Sequence, residues 1–138
     1  MTWWIFALLS ALFAALTAIL GKIGVKDIDT DLATAIRSVV ILVMTWMIML
    51  FKGSSNSINS LTKQNLLFLL LSGIATGLSW IFYYKALQLG KVSQVAPVDK
   101  LSVAFAILLS VIFLGETINV KESAGILMII AGTFIIIW

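Results

Sequence analysis

Five long apolar runs leave this chain very few folds to choose from. They extend from Trp3 to Gly21, Leu32 to Phe51, Leu66 to Leu89, Val92 to Leu114 and Ile118 to Trp138. Each has roughly the 20 residues that cross about 30 Å of hydrocarbon at about 1.5 Å per residue. Strands are excluded as the alternative, because an open sheet cannot satisfy its backbone in lipid and the runs lack period-2 alternation. The expected architecture is an all-α integral membrane protein, a bundle of five transmembrane helices. The first run superficially resembles a secretory leader. It lacks a basic start and is too long for a leader's apolar core, so it is expected to be a retained span.

Composition agrees on the solvent. Of 138 residues, 62% are hydrophobic and 11% charged, with a mean hydropathy of +1.15. A chain this small could not cover a water-facing surface with so few charges. The net charge of +3 is ordinary for a membrane protein with basic loops. No basic patch interleaved with aromatics lies outside the apolar runs, so nucleic acid is not an expected partner. The chain has no Cys and no His, which removes disulfides and the usual zinc, haem and Cys/His nucleophile sites. With no Ser/His/Asp set, no phosphate-binding glycine loop and no paired catalytic carboxylates, neither enzymatic chemistry nor a cofactor or metal is expected.

The connections are short. The segment "GKIGVKDIDTD" (Gly21–Asp31) ends the first run with glycine, and Thr30 or Asp31 is the expected N-cap of the next helix. The polar stretch from Lys52 to Asn65 is the best candidate for a mobile surface loop. Gly90 and Gly115 punctuate the ends of the third and fourth runs. Small residues mark faces where helices approach in lipid: Ala7, Ala11, Ala14, Ala15 and Ala18 in the first run, Gly73 and Gly77 in the third, Gly125 and Gly132 in the last. Such faces fit packing within the chain or between chains.

Charges inside the apolar runs gather at one depth. Arg37, Lys85, Asp99 and Lys100 all fall in the half of the bilayer reached by the C-terminal end of the first span. Asp99 and Lys100 lie about 10 Å along their run at 1.5 Å per residue. Basic side chains near helix ends can snorkel to the interface, which alone would accommodate Arg37 and Lys85. Asp99 has a structural account too: Pro97 suits a first helical turn, which would break the run at Pro97 and place Asp99 near the positive end of the helix dipole. The functional account is a cavity. Neighbouring residues on a helix point about 100° apart, so Asp99 and Lys100 should pair poorly, and Asp99 should seek Lys85 or Arg37 on another helix. Ser102 shares the Asp99 face, as do Ala106 and Ser110, and Trp80 and Tyr84 share a face of the third span with Tyr83 beside them. The candidate cavity residues are therefore Asp99, Lys100, Lys85, Arg37, Trp80, Tyr84 and Ser102, with Pro97 as the helix break.

At this point the sequence resembles a known family. The aromatic pair and "AL..G" (Tyr83, Tyr84, Ala86, Leu87, Gly90), then "S..AP" (Ser93, Ala96, Pro97), then "FLGE" (Phe113–Glu116) and the spaced glycines Gly125 and Gly132 look like the second part of an EamA domain. EamA domains belong to the drug/metabolite transporter superfamily. The resemblance covers residues 1–138 as one EamA-like domain and is weaker over the first two helices. It implies a multi-pass protein of the cytoplasmic membrane that moves a small metabolite or amphipathic compound. A non-transporting accessory or scaffold subunit, or a flippase-like component for lipid-linked molecules, is the alternative.

Typical members resemble two such domains in tandem, inverted about a central cavity, whereas this sequence holds one. It also keeps Val98, Asp99 and Lys100 where many tandem members are more apolar. Alternating access usually needs two repeats rocking around a central site, so a homodimer is the expected completion, parallel or antiparallel. The loop lysines are balanced: Lys52, Lys63 and Lys121 on one side, Lys22, Lys26 and Lys91 on the other. That balance gives the positive-inside rule little to act on and suits an antiparallel pair.

Overall fold

Each of the five apolar runs folds as helix in the computed structural model, which describes residues 2–53, 58 and 60–138. Four spans are continuous: α1 (Trp3–Gly24), α2 (Thr30–Phe51), α3 (Lys63–Leu89) and, last in the chain, α6 (Val120–Ile137). The fourth span, Val92–Leu114, is assembled from α4 (Val92–Asp99), α5 (Ser102–Leu109) and a π-helical turn (Ser110–Leu114). All five are long and apolar enough to cross a bilayer, and at most 11% of any span's apolar core is buried inside the chain. Side chains such as Phe51, Phe82, Leu89 and Phe113 are largely exposed. In water that surface would cost about 25 cal/mol for every Å², whereas in hydrocarbon it is the natural exterior. The protein is a multi-pass, all-α membrane protein.

The helix ends show where local chemistry departs from the expected boundaries. The N-cap of α2 is Asp29, not Thr30 or Asp31. Its extended backbone lets the carboxylate accept from the Asp31 and Leu32 amides at 2.9 and 3.0 Å. Thr30 is instead buried as the first helical residue, and its carbonyl accepts from the Thr34 hydroxyl at 2.8 Å. Helix α1 runs past Gly21 to Gly24. Of the polar stretch Lys52–Asn65, expected to be a mobile loop, residues 54–57 and 59 lie outside the described residues, and Lys63 to Asn65 are already helical. Gly115 closes the fourth span as expected, with φ +68°, a left-handed value that glycine adopts without strain. A reciprocal capping box between Asn119 and Glu122 starts α6.

The chain forms two compact units, one of Met1–Ile19 and Leu89–Trp138, the other of Leu20–Gln88. In the first, α6 packs on α4 and α5, and the buried Thr133 hydroxyl bonds to the Pro97 carbonyl at 3.2 Å and to the Ile129 carbonyl at 2.9 Å. The break in the fourth span falls at Lys100–Leu101, downstream of Pro97, which sits inside α4. Proline lacks the amide that would reach back to Ser93 and crowds that carbonyl. The following turn tightens: the Lys100 amide reaches both Ala96 and Pro97 carbonyls, and the Leu101 amide reaches Val98 at 3.0 Å. The α-helical ladder restarts at Ser102.

In the second unit, the connection after α1 is stitched to the end of α3. The Gln88 amide nitrogen donates to the carbonyls of Val25 and Ile28, each at 3.0 Å. The Lys22 ammonium donates to the Leu87 carbonyl. Val25 and Leu87 are almost fully buried beside these bonds. The spaced glycines behave otherwise. Among the described residues, a Cβ added at Gly73, Gly77, Gly125 or Gly132 would meet no atom within 4 Å, so these glycines are not required by close packing inside their own units.

Candidate functional site

The second unit brings together three of the expected cavity residues. Trp80 and Tyr84 stand one turn apart on α3 and therefore share a face. From α2 the Arg37 guanidinium lies over both rings, its Cζ 4.1 Å from the Trp80 centroid and 5.3 Å from that of Tyr84. Both distances fall within cation–π range. Tyr84 is buried, while Arg37 and Trp80 are partly buried. Tyr83 extends the aromatic surface, its ring centroid 6.3 Å from that of Tyr84.

Close approach from α1 holds Tyr84 in place. A Cβ at Gly21 would stand 2.9 Å from Tyr84 Cε1, shorter than van der Waals contact allows. Gly21 is therefore a packing glycine inside α1 and not a helix terminator. Gln88, one turn after Tyr84, then ties the end of α3 to the Val25 and Ile28 carbonyls. Sequence reasoning missed Gln88 and the role of Gly21. A single amide in the last turn of an apolar helix is a faint signal, but it is one, because an amide in lipid needs partners.

Stacking stabilises Arg37 without satisfying it. A desolvated cation–π contact contributes about 2 kcal/mol, close to the roughly 2.5–3.5 kcal/mol that an arginine costs at a helix centre. The N–H donors still need acceptors. Among the described residues Arg37 forms neither an ion pair nor a hydrogen bond.

Asp99 and Lys100 belong to the other unit, and they correct an expectation. Lys100 Nζ lies 3.2 Å from Asp99 Oδ2, although neighbours on a regular helix point too far apart to pair well. The regular helix ends at Asp99, and in the tight turn that follows the two side chains converge. The same break interrupts the face that Asp99 was expected to share with Ser102, which is exposed at the start of α5. Lys85 is exposed on α3. Farther along the first unit, a cleft of about 480 Å³ is lined by Ile107, Ser110, Glu116, Thr117, Ile118 and Glu122. Glu122 is engaged there in the α6 capping box.

Comparison with known proteins identifies the family of the chain. The chain is 44% identical over 135 residues to a Sinorhizobium protein named as an uncharacterized transporter in the cobO 3′ region, covering 98% of this chain and 96% of that protein. It is also 31% identical over 77 residues to an uncharacterized Methanocaldococcus jannaschii protein, covering 55% of this chain and 56% of the other. No solved structure matches. The sequence profile of the EamA-like transporter family matches residues 1–138, and the chain belongs to that family.

Proposed function

We propose that the protein is a carrier for a small metabolite or amphipathic compound across the cytoplasmic membrane, working as a single-domain homodimer. One observation carries this reading. The fourth span breaks at Lys100–Leu101, immediately after Asp99 and about 10 Å along the span. Broken spans with charges at the break are where carriers of several folds assemble their sites, because irregular backbone is tolerated at membrane depth only against protein or a water-filled cavity. Asp99, Lys100, Lys85, Arg37, Trp80, Tyr84 and Ser102 are the proposed path-lining residues.

The homodimer has its own support. One EamA-like repeat cannot form an inverted pair alone, the loop lysines balance, and the small residues Gly73, Gly77, Gly125 and Gly132, whose added Cβ would meet no described atom within 4 Å, suit close approach of a second copy. An antiparallel pair would place a polar layer in each half of the bilayer. The scaffold alternative expects Asp99 sealed in a pair between helices. Its pair with Lys100 is local instead, with the side chains 34% and 57% exposed in the chain.

Reconstitution tests the carrier. Proteoliposomes screened with a panel of metabolites, with and without a pH gradient, should show protein-dependent uptake of at least one. Asp99→Asn should lower that uptake far more than it lowers the yield of folded protein. Absence of uptake across anionic, cationic and neutral solutes would leave the scaffold as the better account.

A further inference from the structure

Arg37 is the single arginine of the chain, and snorkelling does not explain where it points. Its span begins at Thr30, and the facing span ends at Leu89 beside the loop that precedes Thr30, as the Gln88 bonds to Val25 and Ile28 require. Counted from that end, Tyr84 lies about 8 Å deep and Trp80 about 14 Å, at 1.5 Å per residue. A guanidinium reaching for the interface would pass Tyr84 and leave Trp80 behind. Arg37 does not leave Trp80 behind: its guanidinium stays over both rings, 4.1 Å from the Trp80 centroid and 5.3 Å from that of Tyr84.

Internal charge balance does not explain it either. The described residues give Arg37 no carboxylate. Among them no buried side-chain nitrogen or oxygen lacks a hydrogen-bond partner, so the Arg37 nitrogens, which have none, are open to what surrounds them. The aromatic faces hold the cation, while its planar fork of N–H donors remains available. Such a fork matches carboxylate and phosphate oxygens bidentately, which a lysine cannot reproduce.

We propose that Arg37, held on Trp80 and Tyr84, is the recognition site for the carboxylate or phosphate oxyanion of a small organic solute. This makes an organic anion the substrate class, and it rests on the carrier reading above. The same oxyanion chemistry exists on lipid headgroups, so the test must separate the two sources.

A lone arginine makes the test direct. Protein labelled with ¹³C,¹⁵N-arginine and held in dodecyl maltoside micelles, which contain no phosphate, carries one labelled guanidinium. Its Nε and Cζ resonances should move saturably on titration with benzoate or phenyl phosphate and stay still with benzylammonium. In proteoliposomes, uptake of an organic anion found in the screen should fall about tenfold or more in Arg37→Gln, the effect of losing a charge-assisted pair. Arg37→Lys, which keeps the charge and lacks the fork, should recover only part of it. Resonances that ignore both anions overturn the proposal. Resonances that ignore both anions but respond when phosphatidylglycerol is added to the micelles assign the oxyanion to a headgroup and overturn the solute. Uptake of cations or neutral compounds alone keeps the carrier and discards the anion site. A saturable shift without uptake of any solute keeps the anion site and discards the carrier.

Discussion

Arg37 and Asp99 both lie about 10 Å inside apolar spans, and the protein manages them in different ways. Arg37 is held across helices, its guanidinium on two aromatic rings of the facing span. Asp99 is held by its sequence neighbour, at a point where the helix stops being regular. The first arrangement needs tertiary packing: Gly21 must admit Tyr84, and Gln88 must fasten the end of α3. The second rests mainly on local backbone, the irregular turn that follows Pro97. A charge fixed by packing has a defined direction and can select a ligand, whereas a charge fixed by local backbone can swing with its helix. Recognition at one and movement at the other would divide the work of a carrier.

That contrast implies very different sensitivities to substitution. The largest effect is expected at Tyr84, which is 5% exposed, lies under Arg37 and packs so near Gly21 that a Cβ there would stand 2.9 Å from its ring. Tyr84→Ala should destabilise the folded protein by about 3–5 kcal/mol, the range for deleting a buried aromatic, and should leave Arg37 less ordered. Denaturant titration in detergent micelles measures the first effect, and broadening of the labelled Arg37 resonance measures the second. A change below about 1 kcal/mol would mean that the cluster is not held by packing.

The same contrast explains what could be seen in the sequence. Hydropathy alone delivers the five spans, because lipid imposes one length and one backbone solution on every segment. The depth of Arg37, Trp80 and Tyr84 follows from simple counting along their helices. Their mutual contact does not, since it depends on how α2 and α3 are rotated, which counting along one helix does not reveal, while the bonds of Gln88 and the close approach at Gly21 fix α3 against α1 and the loop after it. The Asp99–Lys100 pair was hidden for a different reason. Counting 100° per residue assumes a regular helix, and the break after Pro97 falls a turn later than proline chemistry alone suggests. Pro97 signals a disturbed helix, while its location depends on the bonds that Lys100, Leu101 and Thr133 make afterwards.

A smaller but more specific effect is expected at Gly21. Gly21→Ala places a methyl 2.9 Å from the Tyr84 ring, and the buried ring has little room to retreat. Overpacking of this kind costs about 1–3 kcal/mol, slightly offset by the better helix propensity of alanine. The same substitution at Gly73, where a Cβ meets no described atom within 4 Å, should leave the monomer's stability unchanged or raised. Comparing the two variants by denaturant titration separates the packing glycine from the open ones. Equal losses at both sites would remove the distinction.

The smallest effect is expected from the ion pair itself. Lys100 and Asp99 approach to 3.2 Å, but the side chains remain 57% and 34% exposed, so solvent or a partner can screen them, and holding two flexible chains together costs entropy. A double-mutant cycle with Asp99→Asn and Lys100→Gln should therefore give a coupling of about 0–1 kcal/mol in folding stability. Transport should not follow that small number. If Asp99 acts at the break, Asp99→Asn lowers uptake even where stability is unchanged, and Lys100→Gln, which leaves the carboxylate free, changes uptake differently from Asp99→Asn. A structural staple predicts the opposite pattern, with each variant reducing uptake only as far as it reduces folded protein. A coupling above about 3 kcal/mol would indicate a pair sealed from solvent, and the division of labour between the two charges would then have to be abandoned.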